Sequence, residues 1–253
     1  MTVKEFYEYM CEKLPIEWAL DGDFDGMSCC PDPSREVKNV LIALDATADI
    51  VDEAVNEGYD VILTHHPMLF GGIDGVVAGN YKSDKLIKLI RAGISVMSFH
   101  TRLDAAEGGV NDMLASLLGL KNVERFGEKG IGRVGELEYP VFAEDLAMIV
   151  KDSLVAPFAE YSDSGRMIKR VAVCGGSAGS LIGDAIAVGA DALIGGEFKY
   201  HDMTDSVDYG ISLIAAGHFY TENPVCAKLF ELASGADEDI IPTISFSNKT
   251  GAV

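Results

Sequence analysis

The sequence predicts an α/β protein: two similar α/β lobes from an internal duplication, with mostly parallel sheets flanked by helices. Two observations carry that expectation. Short β-branched runs alternate with amphipathic helical stretches along nearly the whole chain. A block of the first half also recurs, without a gap, in the second.

Taken in order, Val3, Phe6, Tyr7, Met10 and Leu14 stand at helical spacing, so residues 3–14 read as an amphipathic helix. The stretch 21–36, rich in Asp, Gly, Cys and Pro, reads as a loop. Then "VKNVLIAL" is a strand, "ADIVDEAVNEG" a helix stopped by Gly58, and "DVILT" a strand. A helix at 83–92, strand "GISVMSF" and helix "GVNDMLASLLGL" follow a Gly-rich loop. The second half opens with strand "RVGELEY" and a helix at 143–154. Strands "KRVAVCG", "DALIG" and "ISLIAAG" come next, separated by helix "SLIGDAIAVG" and a short helix at 202–209. A helix at 221–233 and strand "DIIPTISF" close the pattern.

The repeat aligns "NVLIALDATADIVDEAVNEGYDVIL" with "RVAVCGGSAGSLIGDAIAVGADALI". Every pair lies 131 positions apart, from Val40 and Val171 to Asp60 and Asp191. Any two β-α-β units share helix stops and strand composition, but a gap-free register across strand, helix and strand favours duplication. It implies lobes at residues 1–128 and 129–253.

Composition narrows the function. Among 253 residues, 48% are hydrophobic, enough for a sizeable core, and the formal charge is −20. That acidity, with no dense Lys/Arg cluster, argues against a nucleic-acid partner. No apolar run reaches the roughly 18 to 20 residues of a membrane helix, and the charged N-terminus lacks a signal-peptide core. The expectation is a soluble cytoplasmic protein. Five cysteines without C-x-x-C spacing argue against a disulfide framework or zinc finger. Adjacent Cys29 and Cys30 read as reduced loop thiols.

The chemistry lies in five histidines: His65, His66, His100, His201 and His218. Each falls at or beyond the C-terminal end of a predicted strand, where parallel α/β sheets bind ligands, and none on an exposed helix face. "LTHHP" gives His65 and His66. "SFHTRLD" gives His100 and, four residues on, Asp104. "GHFYTE" gives His218 and, four on, Glu222. Histidine with carboxylate suits zinc, iron, manganese, nickel or cobalt. Thr221 and Glu222 also have the look of a helix start, with Thr221 as N-cap.

Three neutral imidazoles and two carboxylates would neutralise one divalent ion and crowd it. Two ions sharing His65, His66, Asp104, His218 and Glu222 keep a net charge of about +2. That remainder would acidify a water to near pH 7 and attract an anionic substrate. Two ions also explain adjacent histidines, which leave a strand end in different directions. Asp45, Thr64 and Thr101 are polar residues placed to support the donors. Glu197, which aligns with His66 in the repeat, joins His100 and His201 as catalytic candidates for proton transfer or substrate contact. "DGDFDGMSCCPD" opens like a calcium loop, but Pro31 and the missing flanking helices favour a flexible acidic loop. "CGGSAGS" matches no phosphate-binding fingerprint, though its backbone N–H groups at a helix start could still hold phosphate.

In combination, "GYDVILTHHPMLF", "SFHTRLDAAEGGVNDMLASLLGL", "VAVCGGSAGSLI", "GADALIGGEFKYHD" and "AAGHFYTE" resemble the Nif-three-like dinuclear metal-centre family. Its members are often named GTP cyclohydrolase I type 2 homologues. The resemblance spans about residues 37–235 and implies a two-metal site on His65, His66, Asp104, His218 and Glu222. It further implies a homohexamer with metal sites facing an internal cavity. The family's usual Trp-Asp-Asn signature is absent, for the region reads "EWALDGDFDGMSCC". The leading expectation is a hydrolase acting on a small anionic substrate, which on the family's naming is a purine nucleotide such as GTP. Lys199 or Arg102 would hold its phosphates. A phosphoesterase and a non-catalytic metal-binding scaffold are the alternatives.

Overall fold

Buried parallel strands need apolar side chains on both faces, and the runs "NVLIA", "VILT" and "SVMS" supply them. In the computed structural model, which describes residues 1–251, these runs are adjacent strands. The chain starts with α1 (Val3–Lys13), β1 (Gly26–Cys29), β2 (Asn39–Ala43), α2 (Ala48–Glu57) and β3 (Val61–Thr64). It continues with α3 (Tyr81–Ala92), β4 (Ser95–Ser98), α4 (Thr101–Ala105), α5 (Val110–Leu117) and β5 (Lys121–Phe126). Then come β6 (Gly132–Val141), α6 (Ala143–Ser153), β7 (Glu160–Ser162), β8 (Ile168–Val173), α7 (Ile182–Ala187) and β9 (Ala192–Gly195). The last are α8 (Tyr200–Tyr209), β10 (Ser212–Ala215), α9 (His218–Glu222), α10 (Cys226–Ser234) and β11 (Ile241–Ile244).

Local chemistry sets the ends. Thr2 and Glu5 form a reciprocal capping box on α1. Thr47 caps α2, and Gly58, left-handed at φ 76°, closes it.

The chain divides into two compact units. One comprises Met1–Leu103 with Val225–Ser247, the other Asp104–Pro224 with the residues from Asn248. The repeat placed its boundary at 128/129; by contacts the first segment ends at Leu103, and Val225–Ser247 joins it, with β11 pairing to β2 in the first sheet.

The first unit's sheet runs β1-β4-β3-β2-β11, with only β1 antiparallel. Leu41, Ile62, Val96, Ile50 and Leu89 form its core. The second unit's sheet runs β5-β6-β8-β9-β10-β7. It is mixed: β8, β9 and β10 are parallel, while β5, β6 and β7 pair antiparallel. Alternate strand residues serve its two faces. Val171, Val173, Ile194 and Ile214 join one core, and Ala172, Leu193 and Leu213 the other.

The duplication is visible in hydrogen bonds. Asp60 accepts the backbone N–H groups of Lys38 and Asn39, and Asp191 those of Lys169 and Arg170. Asp60 N–H donates to Asn39 O, and Asp191 N–H to Arg170 O. Each pair is related by the same 131-residue step seen in the sequence.

β1, β5 and β7 are strands where the sequence pattern predicted none. The 21–36 segment is therefore not all loop: Cys29 is buried in β1, and all five cysteines are free. No helix among the described residues is long and apolar enough to cross a membrane.

Candidate metal centre

In the first unit the donors gather at the carboxyl ends of β3 and β4. One ring nitrogen each from His65, His66 and His100 lies within 4.8 Å of the others. The rings of His65 and His66 stand 4.9 Å apart, tilted by 42°. Their anchors diverge. His65 Nδ1 meets the Phe99 carbonyl, just past β4, at 3.0 Å. His66 Nδ1 meets Asp45 Oδ1, just past β2, at 2.8 Å. As β3 lies between β4 and β2, each histidine leans on a different neighbouring strand. Thr64 donates its hydroxyl to the His66 carbonyl at 2.7 Å and holds the turn.

His100 is held by a residue that the sequence reading placed in a flexible acidic loop. Asp23 Oδ1 lies 2.7 Å from His100 Nδ1, and its other oxygen accepts the Thr101 hydroxyl at 2.6 Å. Burial pushes the Asp23 carboxyl up, but the His100 and Thr101 hydrogen bonds outweigh it and hold it down at about 2. Asp25 is anchored as well, in a buried pair with Arg102 at 2.7 Å. The loop is therefore tied down at both acids. Arg102 cannot be the expected phosphate contact: its side chain is 1% exposed and also donates to the Leu14 carbonyl.

In the second unit α9 starts at His218 with Gly217 as its N-cap residue. The i,i+4 spacing puts His218 and Glu222 on one face, with Nε2 and Oε2 3.0 Å apart. Glu197 Oε1 lies 3.3 Å from His218 Nδ1, so it stands behind His218 as Asp45 stands behind His66. Thr221 is not a helix cap. It lies inside α9, donates to the Gly217 and His218 carbonyls, and accepts Gly176 N–H at 3.1 Å. Asp104, on α4, is 7% exposed. Burial first, then the charges of Asp104 and Glu222, push the Cys174 thiol far up, which places both carboxylates in its neighbourhood.

The glycine run after β8 serves the carboxylate. A Cβ on Gly176 would stand 2.2 Å from Glu222 Oε1 and 3.0 Å from His218 Nε2, and φ there is +66°. Gly175 N–H is taken by Asn111 and Gly176 N–H by Thr221, so these two amides are not open for phosphate. His201 lies in the exposed first turn of α8, beside Asp202 at 3.5 Å, contrary to the expectation that no histidine occupies an exposed helix face. Asp23, Gly176 and the Phe99 carbonyl were missed. The alternation Asp23, Phe24, Asp25 is the one signal that could have pointed to the first.

The donor set fits a divalent transition metal. A carbonyl can only accept, so His65 carries its proton on Nδ1 and its lone pair on Nε2. A carboxylate behind Nδ1 favours the same tautomer for His66 and His100, an arrangement typical of metal-ligating histidine, while His218 has a carboxylate at each ring nitrogen. In the second unit, buried Asp104 and Glu222 supply the negative charge that a divalent ion needs.

Fold and donors define a class: two-unit α/β proteins offering histidine and carboxylate at strand ends. The Duf34/NIF3 (NGG1p interacting factor 3) family model matches residues 1–250, and the chain belongs to that family. Among its relatives, proteins named GTP cyclohydrolase 1 type 2 homolog stand out. That of Clostridium acetobutylicum is 34% identical, with 93% of this chain and 91% of the relative covered. That of Pyrococcus horikoshii is 34% identical, with 99% and 100% covered. A hypothetical protein of Staphylococcus aureus has a similar crystal structure, at TM-score 0.87 and 27% identity, covering 100% and 99% of the two chains. Reduced HcgD from Methanocaldococcus jannaschii gives TM-score 0.82 at 27% identity, covering 96% and 97%.

Proposed function

We propose that the chain is a metal-dependent hydrolase holding two divalent ions through His65, His66, Asp104, His218 and Glu222. Its substrate is a small anionic molecule, and the relatives' names favour a purine nucleotide. The observation that carries this reading is the common construction of the imidazoles, each with Nδ1 committed to a carbonyl or carboxylate. Bound there, the ions would supply Lewis acidity and a water acidified to near neutral pH.

The chain's own part is positional. Asp45, the Phe99 carbonyl and Glu197 fix the rings, and Gly176 leaves room for the Glu222 carboxylate. Three neutral and two anionic donors leave about +2 on the pair of ions, which favours an anionic substrate. Of the catalytic candidates, His100 has the setting for proton transfer, since Asp23 orients its ring. Glu197 acts through His218 as a positioning residue. His201 has an exposed setting suited only to contact with an outer part of the substrate. A homohexamer in the cytoplasm completes the reading, and sedimentation velocity checks the assembly.

Metal analysis and a turnover screen test the proposal. We expect about two equivalents of divalent metal and hydrolysis of GTP or another anionic ester that stops on chelation and returns with metal. One equivalent or none after loading, or silence across a broad nucleotide and phosphoester screen, overturns it.

A further inference from the structure

We propose that Phe24 and Phe70 form an aromatic subsite that takes a planar nitrogen heterocycle of the substrate. It rests on reading the histidine set as a site for a small anionic substrate. The two rings stand 5.3 Å apart at 56°, and Phe70 meets the His100 ring edge-on at 6.3 Å and 85°. Both are exposed, Phe24 by 45% and Phe70 by 60%, although aromatic side chains gain from burial.

These are not loose surface side chains. Phe24 sits between Asp23, anchored on His100 and Thr101, and Asp25, anchored on Arg102. With both neighbours fastened, the intervening residue is held outward. Phe70 is fixed by its own backbone: its N–H donates to the Pro67 carbonyl, and its carbonyl accepts Lys82 Nζ at 2.6 Å. Gly71 and Gly72, both at φ +76°, turn the chain away directly after it.

Two anchored, exposed rings beside His100 offer an aromatic surface on which a single flat ring can stack. Such stacking tolerates any base because every base has a π-face. An anionic tail on that ring would lie toward the histidines. The subsite thus separates a nucleotide-like substrate from a simple phosphoester, which has nothing to stack.

The test is calorimetric titration of the metal-loaded full-length protein with GMP and, separately, ribose 5-phosphate. We expect wild type to bind GMP more tightly. Phe24→Ala and Phe70→Ala should each weaken GMP binding about 5- to 150-fold, the range of a lost base–aromatic stack. Ribose 5-phosphate affinity and metal content should not move, and Phe70→Trp should keep GMP binding. Equal affinity of wild type for the two probes, absence of binding to both, or equal weakening of both by the alanine variants overturns the subsite. So does a changed sedimentation coefficient of Phe70→Ala, which would assign the rings to a contact with a second copy. Binding is read without turnover. A protein that grips GMP through both rings but stays silent across the broad nucleotide and phosphoester screen refutes the hydrolase reading and leaves the subsite standing. An active enzyme whose GMP affinity ignores both rings does the reverse.

Discussion

A histidine can bind metal through either nitrogen, and its surroundings decide which. At His66 the decision belongs to Asp45, 2.8 Å from Nδ1. Replacing Asp45 by Ala should lower metal affinity about 10- to 100-fold while the fold persists, as read by competition with a chromophoric chelator. Unchanged affinity would show that the Asp45 contact does not tune the site. Away from the site, Asp60 contributes to acid stability. Burial pushes Asp60 up, but the N–H groups of Asn39 and Lys38 and the Arg35 guanidinium more than offset this and hold it below its ordinary 3.8. A depressed carboxyl stabilises the fold above its unfolded value, and that contribution is lost as pH falls through the folded value. Asp60→Asn should therefore cost about 1–3 kcal/mol at pH 7. The deficit against wild type should narrow as pH falls below 3.8. Urea unfolding at both ends of that range checks it.

At the scale of elements, α4 and α9 are counterparts. Each is a five-residue helix that follows a strand, β4 or β10, and each carries a proposed carboxylate ligand. α9 is fastened to the glycine run through Thr221, which is 1% exposed. Thr221→Val leaves the buried Gly176 N–H without its acceptor and should destabilise by about 1–3 kcal/mol, measurable in the same urea experiment. If stability is unchanged, the Thr221 bond is not what holds α9. This helix also shows why part of the pattern was misread. A proline at 224 and a threonine at 221 look like a helix start, but the chain is already helical from His218. β2, β3, β8, β9 and β10 were legible because each carries at least three consecutive apolar residues. β5, exposed at five of six positions, and the three-residue β7 carry no such run. His65, His66 and Asp45 were legible as strand-end residues. Asp23 was not, because its partner His100 lies 77 residues further along and only the β1–β4 pairing brings them together.

For the whole molecule, the sequence repeat and the compact units are different divisions. Repetition follows the two β-α-β blocks, while compactness depends on β11 lying beside β2. Pro242, which cannot donate to a ladder, is tolerated there because β11 is an edge strand. Removing residues from Asp239 onward should strip hydrogen-exchange protection from β2 first. Retained protection would show that β11 contributes little to the sheet.

The return of β11 also bears on how the protein is made. A ribosome issues residues in order, at about 5–20 per second. The edge of β2 therefore waits roughly 200 residues, on the order of 10–40 seconds, for its partner strand. Throughout that interval the nascent first sheet presents an open ladder to other chains. Asp104–Pro224, by contrast, emerges as one uninterrupted stretch. During translation, the first sheet is begun before the whole of Asp104–Pro224 and completed after it.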